Sequence, residues 1–150
     1  MAKPLMCSPT LLNRSLRGKT VIVTGANSGI GFVAAKQLAK QGAHVVVACR
    51  RQEAGEQAVK DIDADVSDGK VEFMRLDLGD LDSVRSFADK FTAQNRHLHI
   101  LINNAGVMNT KNVKTKDGFD MQFGVNHLGH FLLTSLLLPK LKDSTPSRIV

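Results

Sequence analysis

Apolar and polar positions along the chain fall into blocks that switch between a strand-like and a helix-like period, and the blocks come in a repeating order. Lys19 to Val23 is an apolar, β-branched run of strand length. After a glycine-rich turn, Ala34, Ala35, Leu38 and Ala39 share one helical face from a start near Ile30, and Gly42 is a natural stop. His44 to Ala48 is a second β-branched run, which completes one βαβ unit. Further strands are predicted at Val71 to Leu76 and His99 to Ile102. Between them Leu81, Val84, Phe87, Ala88 and Phe91 repeat at helical spacing behind Asp80, an acid suited to the helix N-terminus. Phe131, Leu132, Leu133 and Leu136 to Leu138 make a last helix apolar almost all round, which expects cover on both sides and which Pro139 bends or ends. Asn109 to Lys116 reads as a polar surface loop, and a fifth strand begins at Arg148-Ile149-Val150. Strands alternating with helices predict an α/β fold with a doubly wound parallel sheet over residues 18–150, comprising strands 1 to 4 and the start of strand 5.

The chemistry is concentrated where strands end. Thr24-Gly25-Ala26-Asn27-Ser28-Gly29-Ile30-Gly31 joins the first strand to the first long helix. Glycines there let the backbone turn sharply and approach a ligand, and the helix offers unpaired N–H groups to a phosphate. No Gly-Lys-Ser/Thr follows, so the loop is not a P-loop; it reads as the pyrophosphate cradle of a Rossmann-type dinucleotide site. The second strand ends in Cys49-Arg50-Arg51 rather than in an acid that would bond a ribose 2′-hydroxyl. Two arginines favour a 2′-phosphate, hence NADP(H); the alternative is a pair of solvated arginines opening a helix. Asp77, at the end of the third strand, suits an adenine amino group or, alternatively, a helix N-terminus. Asn103-Asn104-Ala105-Gly106 closes the fourth strand at the same edge.

Charge and composition narrow the partners. The net charge is +6, yet no Asp or Glu precedes Glu53, so eight Lys or Arg fill the first 52 residues and the remainder is net negative by two. A basic first third suits a polyanionic cofactor, although Lys36 and Lys40 fit ordinary solvated helix surface. Nucleic-acid binding competes for the same charge, but with no Tyr or Trp and no aromatic-interleaved basic patch it is not expected. Cys7 and Cys49 give neither a disulfide framework nor zinc spacing, and no metal site is expected; His127 and His130 read as helix-surface or packing residues. Residues 1–17, with Pro4, Pro9 and no acid, read as a disordered extension. With no long apolar core they predict no membrane span, and a cytoplasmic location is expected, with a weak organellar presequence as the alternative.

TGANSGIG, Asp77-Leu78, NNAG and Val125-Asn126-His127-Leu128-Gly129-His130-Phe131, in this order, resemble the short-chain dehydrogenase/reductase family over roughly Arg17 to Val150. Lys116-Asp117-Gly118-Phe119 through VNHLGHFLLT to Leu138 is most similar to its retinol dehydrogenase-like and protochlorophyllide reductase-like branch. The resemblance implies that Gly25, Asn27, Ser28, Gly29, Ile30 and Gly31 line the diphosphate. It places Arg50 and Arg51 at the 2′-phosphate, Asp77 and Leu78 at the adenine, and Asn104, Ala105 and Gly106 beside the nicotinamide ribose. By the same resemblance Asn103 steadies the central strands and Asn126 is catalytic, positioning a water in a proton relay; an amide that donates and accepts without changing charge suits that work.

The chain departs from the N-terminally anchored retinol dehydrogenases in its lack of an apolar N-terminal anchor and, for the chemistry, from the family pattern in one further respect: it contains no tyrosine. The family's tyrosine–lysine motif and its serine would follow the fifth strand, so this sequence is expected to be the cofactor-binding front of a longer protein and to be inactive alone. The expected reaction is hydride transfer between nicotinamide and a lipophilic carbonyl or alcohol, and the resemblance implies a homo-oligomer when complete. A non-catalytic nucleotide-binding module, or a degenerate remnant, is the alternative.

Overall fold

The structure, a computed structural model, describes residues 8–94 and 96–150. Five parallel strands form one sheet in the order β3-β2-β1-β4-β5: β1 (Thr20–Thr24), β2 (His44–Cys49), β3 (Lys70–Arg75), β4 (Ile100–Ile102) and β5 (Arg148–Ile149). Every neighbouring pair is parallel, which requires a crossover between consecutive strands. The crossovers are α2 (Gly29–Lys40), α3 (Gln52–Asp63) and α4 (Leu81–Ala93), and then a composite helix from α5 (Met121–Phe123) through a π-helical stretch (Gly124–Gly129) into α6 (His130–Asp143).

Burial explains why these strands read as continuous apolar runs. Val21, Ile22, Val23, Val45, Val46 and Val47 have no exposed surface, because helices cover both faces of the sheet. On one face Val21, Val23, Val45 and Val47 pack with Ala35, Ala39, Ala58 and Ile62 of α2 and α3. On the other, Ile22, Val46 and Leu101 pack with Phe87 and Phe91 of α4 and with Leu133, Leu137 and Leu141 of α6. Residues alternate between the two cores along β1, β2 and β4, the period of two that a pleated strand imposes.

The structure adds detail at four places. The helix α3 goes unread by periodicity beyond the point at which Arg51 opens it, because its buried stripe is built from small residues, Gly55 and Ala58, with Ile62 alone supplying bulk. Pro139 does not end the last helix, which continues to Asp143 around it. That helix is covered on one side only: Leu133, Leu137 and Leu141 are buried, whereas Phe131 is 65% exposed. The N-terminal extension, read as disordered, is described from Ser8 onward, where a short helical turn, α1 (Pro9–Leu12), is held by Gln37 and Gln41 amides that donate to the Leu12 and Leu11 carbonyls. Residues 1–7, with Cys7, lie outside the described residues.

Candidate cofactor-binding site

The chain reverses direction across the sheet between β1 and β4, since β2 and β3 lie to one side of β1 and β4 and β5 to the other. In an open parallel sheet the carboxyl ends of the strands at such a switch leave a crevice between diverging loops. A cleft of about 490 Å³ opens there. Its walls include Gly25, Asn27, Ser28, Ile30, Gly31, Arg50, Arg51, Asp77, Leu78, Asn104, Ala105 and Gly106. Residues far apart in sequence thus meet because four strands end at one edge. Gly29 lies in the same loop between Ser28 and Ile30, and Asn126, not itself a wall residue, is bonded to Val107, which is. The walls also contain Ala48, Cys49, Leu76 and Met121, which sequence reading did not assign to cofactor contact; as unremarkable apolar residues at strand or helix ends they carry no local signal.

The first loop is shaped to admit a ligand against its backbone. Gly29 holds φ +57°, and a Cβ there would meet no atom within 4 Å, so the space over it is open. At Gly31 the opposite holds: a Cβ would collide with the Asn104 amide nitrogen and lie 2.8 Å from the Gly25 carbonyl oxygen, so only glycine lets α2 start this close to β1 and β4. Ser28 occupies the N-cap position in extended conformation, yet its side chain makes no capping bond. The first N–H groups of α2 therefore face the cleft without a side-chain acceptor, and with the helix dipole they favour an anion.

Around that opening the loops are stitched by uncharged hydrogen bonds. The Asn104 side chain donates to the Thr24 carbonyl at 2.9 Å, and the Ala105 N–H donates to the Thr24 hydroxyl at 2.9 Å. Asn104, not Asn103, therefore ties β1 to β4; Asn103 instead donates to Thr134 of α6 at 3.2 Å. Asn126 bonds the backbone of one residue twice: Val107 N–H donates to its Oδ1 at 2.8 Å, and its Nδ2 donates to the Val107 carbonyl at 2.9 Å. With both ends of the amide engaged, the side chain acts as a clamp on the loop after Gly106, and the π-helical stretch that carries it brings the amide to that residue.

The titratable groups at the rim are few. Asp77 Oδ1 accepts from the Gly79 N–H at 3.0 Å, which leaves its second oxygen without a hydrogen-bond donor among the described residues. Asp80, not Asp77, caps α4, accepting from the Asp82 and Ser83 N–H groups. Burial pushes the Cys49 thiol above its ordinary pKa, against the opposing effect of Arg51, so it remains a neutral thiol beside the two arginines. Arg50 and Arg51 are both exposed, and neither forms an ion pair among the described residues, so both guanidinium groups are free to meet an anion.

Comparison with known proteins agrees with this architecture. Residues 19–150 match the family model described as short chain dehydrogenase. The chain is 55% identical over 145 residues to retinol dehydrogenase 11 of Homo sapiens, an alignment that takes in 97% of this chain and 45% of that protein. Retinol dehydrogenase 13 of Homo sapiens is 54% identical over 136 residues, covering 91% of this chain and 41% of its own length. The chain thus spans less than half the length of these relatives. Among solved structures, the Pseudomonas aeruginosa RhlG/NADP active-site complex superposes with a TM-score of 0.77 at 28% identity, over 90% of this chain and 54% of that one. With the glycine-rich loop, the NNAG turn and the Asn126 helix all set around one crevice, this chain belongs to the short-chain dehydrogenase family, in its retinol dehydrogenase-like branch.

Proposed function

We propose that the full-length protein is an NADP(H)-dependent oxidoreductase acting on a lipophilic carbonyl or alcohol, and that this chain supplies its cofactor site. The observation that carries the reading is the convergence of the open Gly29 turn, the Arg50-Arg51 pair, Asp77 and the Asn104-to-Gly106 turn on a single cleft. The first-turn N–H groups of α2 suit a pyrophosphate, and the Arg50 and Arg51 guanidinium groups, without ion pairs among the described residues, suit a 2′-phosphate. The free oxygen of Asp77 can accept from an adenine amino group. When bound, a nicotinamide cofactor supplies hydride transfer. The chain's own residues bind and orient it: Gly31 permits the close approach, Asn104 and Thr24 fix the floor, and Asn126 holds the Val107 peptide beside it.

A lipophilic substrate such as a retinoid is supported by the retinol dehydrogenase relatives, to which the chain aligns at 53–57% identity. Asn126 in a proton relay is supported by its bond to Val107 of the cleft wall, with the acid–base group coming from elsewhere in the full-length protein. A second reading is a nucleotide-binding module without catalysis, which the same cleft supports because its residues provide for binding. One assay separates them: oxidation of NADPH by the full-length protein in the presence of all-trans-retinal. Turnover supports the oxidoreductase. Tight NADPH binding with no turnover on retinal, decanal or a steroid ketone supports the module.

A further inference from the structure

His130 is 93% buried in the face of α6 that meets the sheet, with a relative exposure of 7%, and its imidazole touches two parts of the site at once. Nε2 lies 2.9 Å from the Thr24 hydroxyl, and Nδ1 lies 3.1 Å from the Asn126 carbonyl oxygen. A carbonyl oxygen can only accept, so Nδ1 must carry a proton. The Thr24 hydroxyl already accepts from Ala105 N–H, which leaves its own proton for Nε2 at 2.9 Å in preference to the Ile102 carbonyl at 3.4 Å. The bonds then run in one direction, from Ala105 N–H to Thr24 to His130 and on to Asn126. No carboxylate bonds the ring among the described residues, and burial lowers its pKa, so the neutral form is favoured.

We propose that His130 is a positioning residue of the cofactor site: a neutral imidazole protonated on Nδ1 that locks the Asn126 carbonyl to the Thr24 hydroxyl and so registers the Asn126 helix against the turn after β4. Both ends of this link reach the cleft wall, through Ala105 at one end and through the Asn126 clamp on Val107 at the other. The role is not proton transfer, since each ring nitrogen is committed to a protein partner. A histidine in an apolar helix has no local motif to announce such a role; its Thr24 partner lies 106 residues away in sequence.

This inference rests on the cofactor-site reading, and its test separates the two. In full-length protein carrying ¹⁵N-labelled histidine, the long-range proton–nitrogen spectrum without ligand reports the tautomer directly. Protonated Nδ1 with a bare Nε2 is the expected result; a proton on Nε2 overturns the proposal. Fluorescence titration with NADPH then compares His130→Leu, which keeps bulk but removes both ring bonds, with His130→Asn, whose amide nitrogen falls near the Nδ1 position and keeps the Asn126 bond but falls short of the Thr24 hydroxyl. Both variants break the link and should bind NADPH about tenfold more weakly than the parent. Equal NADPH affinity in the parent and in either folded variant contradicts the proposal. If the unsubstituted protein binds no NADPH, the cofactor reading fails while the tautomer still decides the positioning bond; if the leucine variant does not fold, the tautomer and the asparagine variant decide.

Discussion

The two ends of the same sheet are held together by different physics. At the carboxyl end, Thr24, Asn104, Ala105, Asn126 and His130 are joined by hydrogen bonds between uncharged groups, and the charged residues Arg50, Arg51 and Asp77 stand at the rim. Toward the amino end, Glu72 of β3 is bound by Arg96 and lies 3.3 Å from His44 of β2, while the Arg96 guanidinium sits 5.1 Å above the Phe91 ring. The His44 N–H, opposed by partial burial and joined by Arg96, holds the Glu72 carboxyl down to about 2. The contrast teaches a division of labour. Arg50, Arg51 and Asp77, without ion-pair partners among the described residues, face the cleft, where a ligand can use them, whereas Glu72 and Arg96 toward the other end neutralise one another and clamp strands.

That division is broken most severely at Gly29. Gly29→Val forces a branched side chain into a positive-φ position and into the open space over the turn, so NADPH affinity of the full-length protein should fall by more than about 100-fold. Because no protein atom lies within 4 Å of the added Cβ, the fold should survive, and circular dichroism would check that. Next, replacing Arg50 and Arg51 together by glutamine should weaken NADPH by about 30-fold and NADH by less than about twofold. Equal losses would show that the pair does not read a 2′-phosphate.

At the opposite end the effect belongs to stability and not to binding. A carboxyl whose folded pKa is depressed stabilises the protein above the unfolded value of 4.5 and loses that contribution as pH falls toward about 2. Glu72→Gln should therefore cost about 2 kcal/mol at neutral pH and flatten the stability curve between those limits, while leaving NADPH affinity unchanged. Urea titrations at several pH values would show it. The smallest expected effect is at the α4 N-terminus: Asp80→Ala removes the acceptor for the Asp82 and Ser83 N–H groups and should cost about 1 kcal/mol, measured as a lower Tm.

How far the sequence discloses this molecule follows from the same contrast. The strands and the glycine-rich turn are legible because burial on both faces demands uninterrupted β-branched runs and because a close backbone approach demands glycine at Gly31. The cleft-lining residues are legible through strand ends and through family resemblance. The helix α3 is hidden by its Gly55 and Ala58 stripe, small because Gly55 packs under Phe73 and Cys49. The π-helical turn at Gly124–Gly129 is hidden because nothing in residue type separates it from an α-helix. That Asn104 rather than Asn103 ties β1 to β4, and the bonds of Thr24 and His130, depend on which way side chains point across the sheet, which adjacent positions of like chemistry do not specify.

The central claim is that the cleft at the β1/β4 switch holds NADP(H). Isothermal titration of the full-length protein with NADPH and with NADH tests it most directly. One site per chain is expected, with NADPH bound at least about tenfold more tightly than NADH through the Arg50-Arg51 pair. No binding of either nucleotide, or tighter binding of NADH, would contradict it.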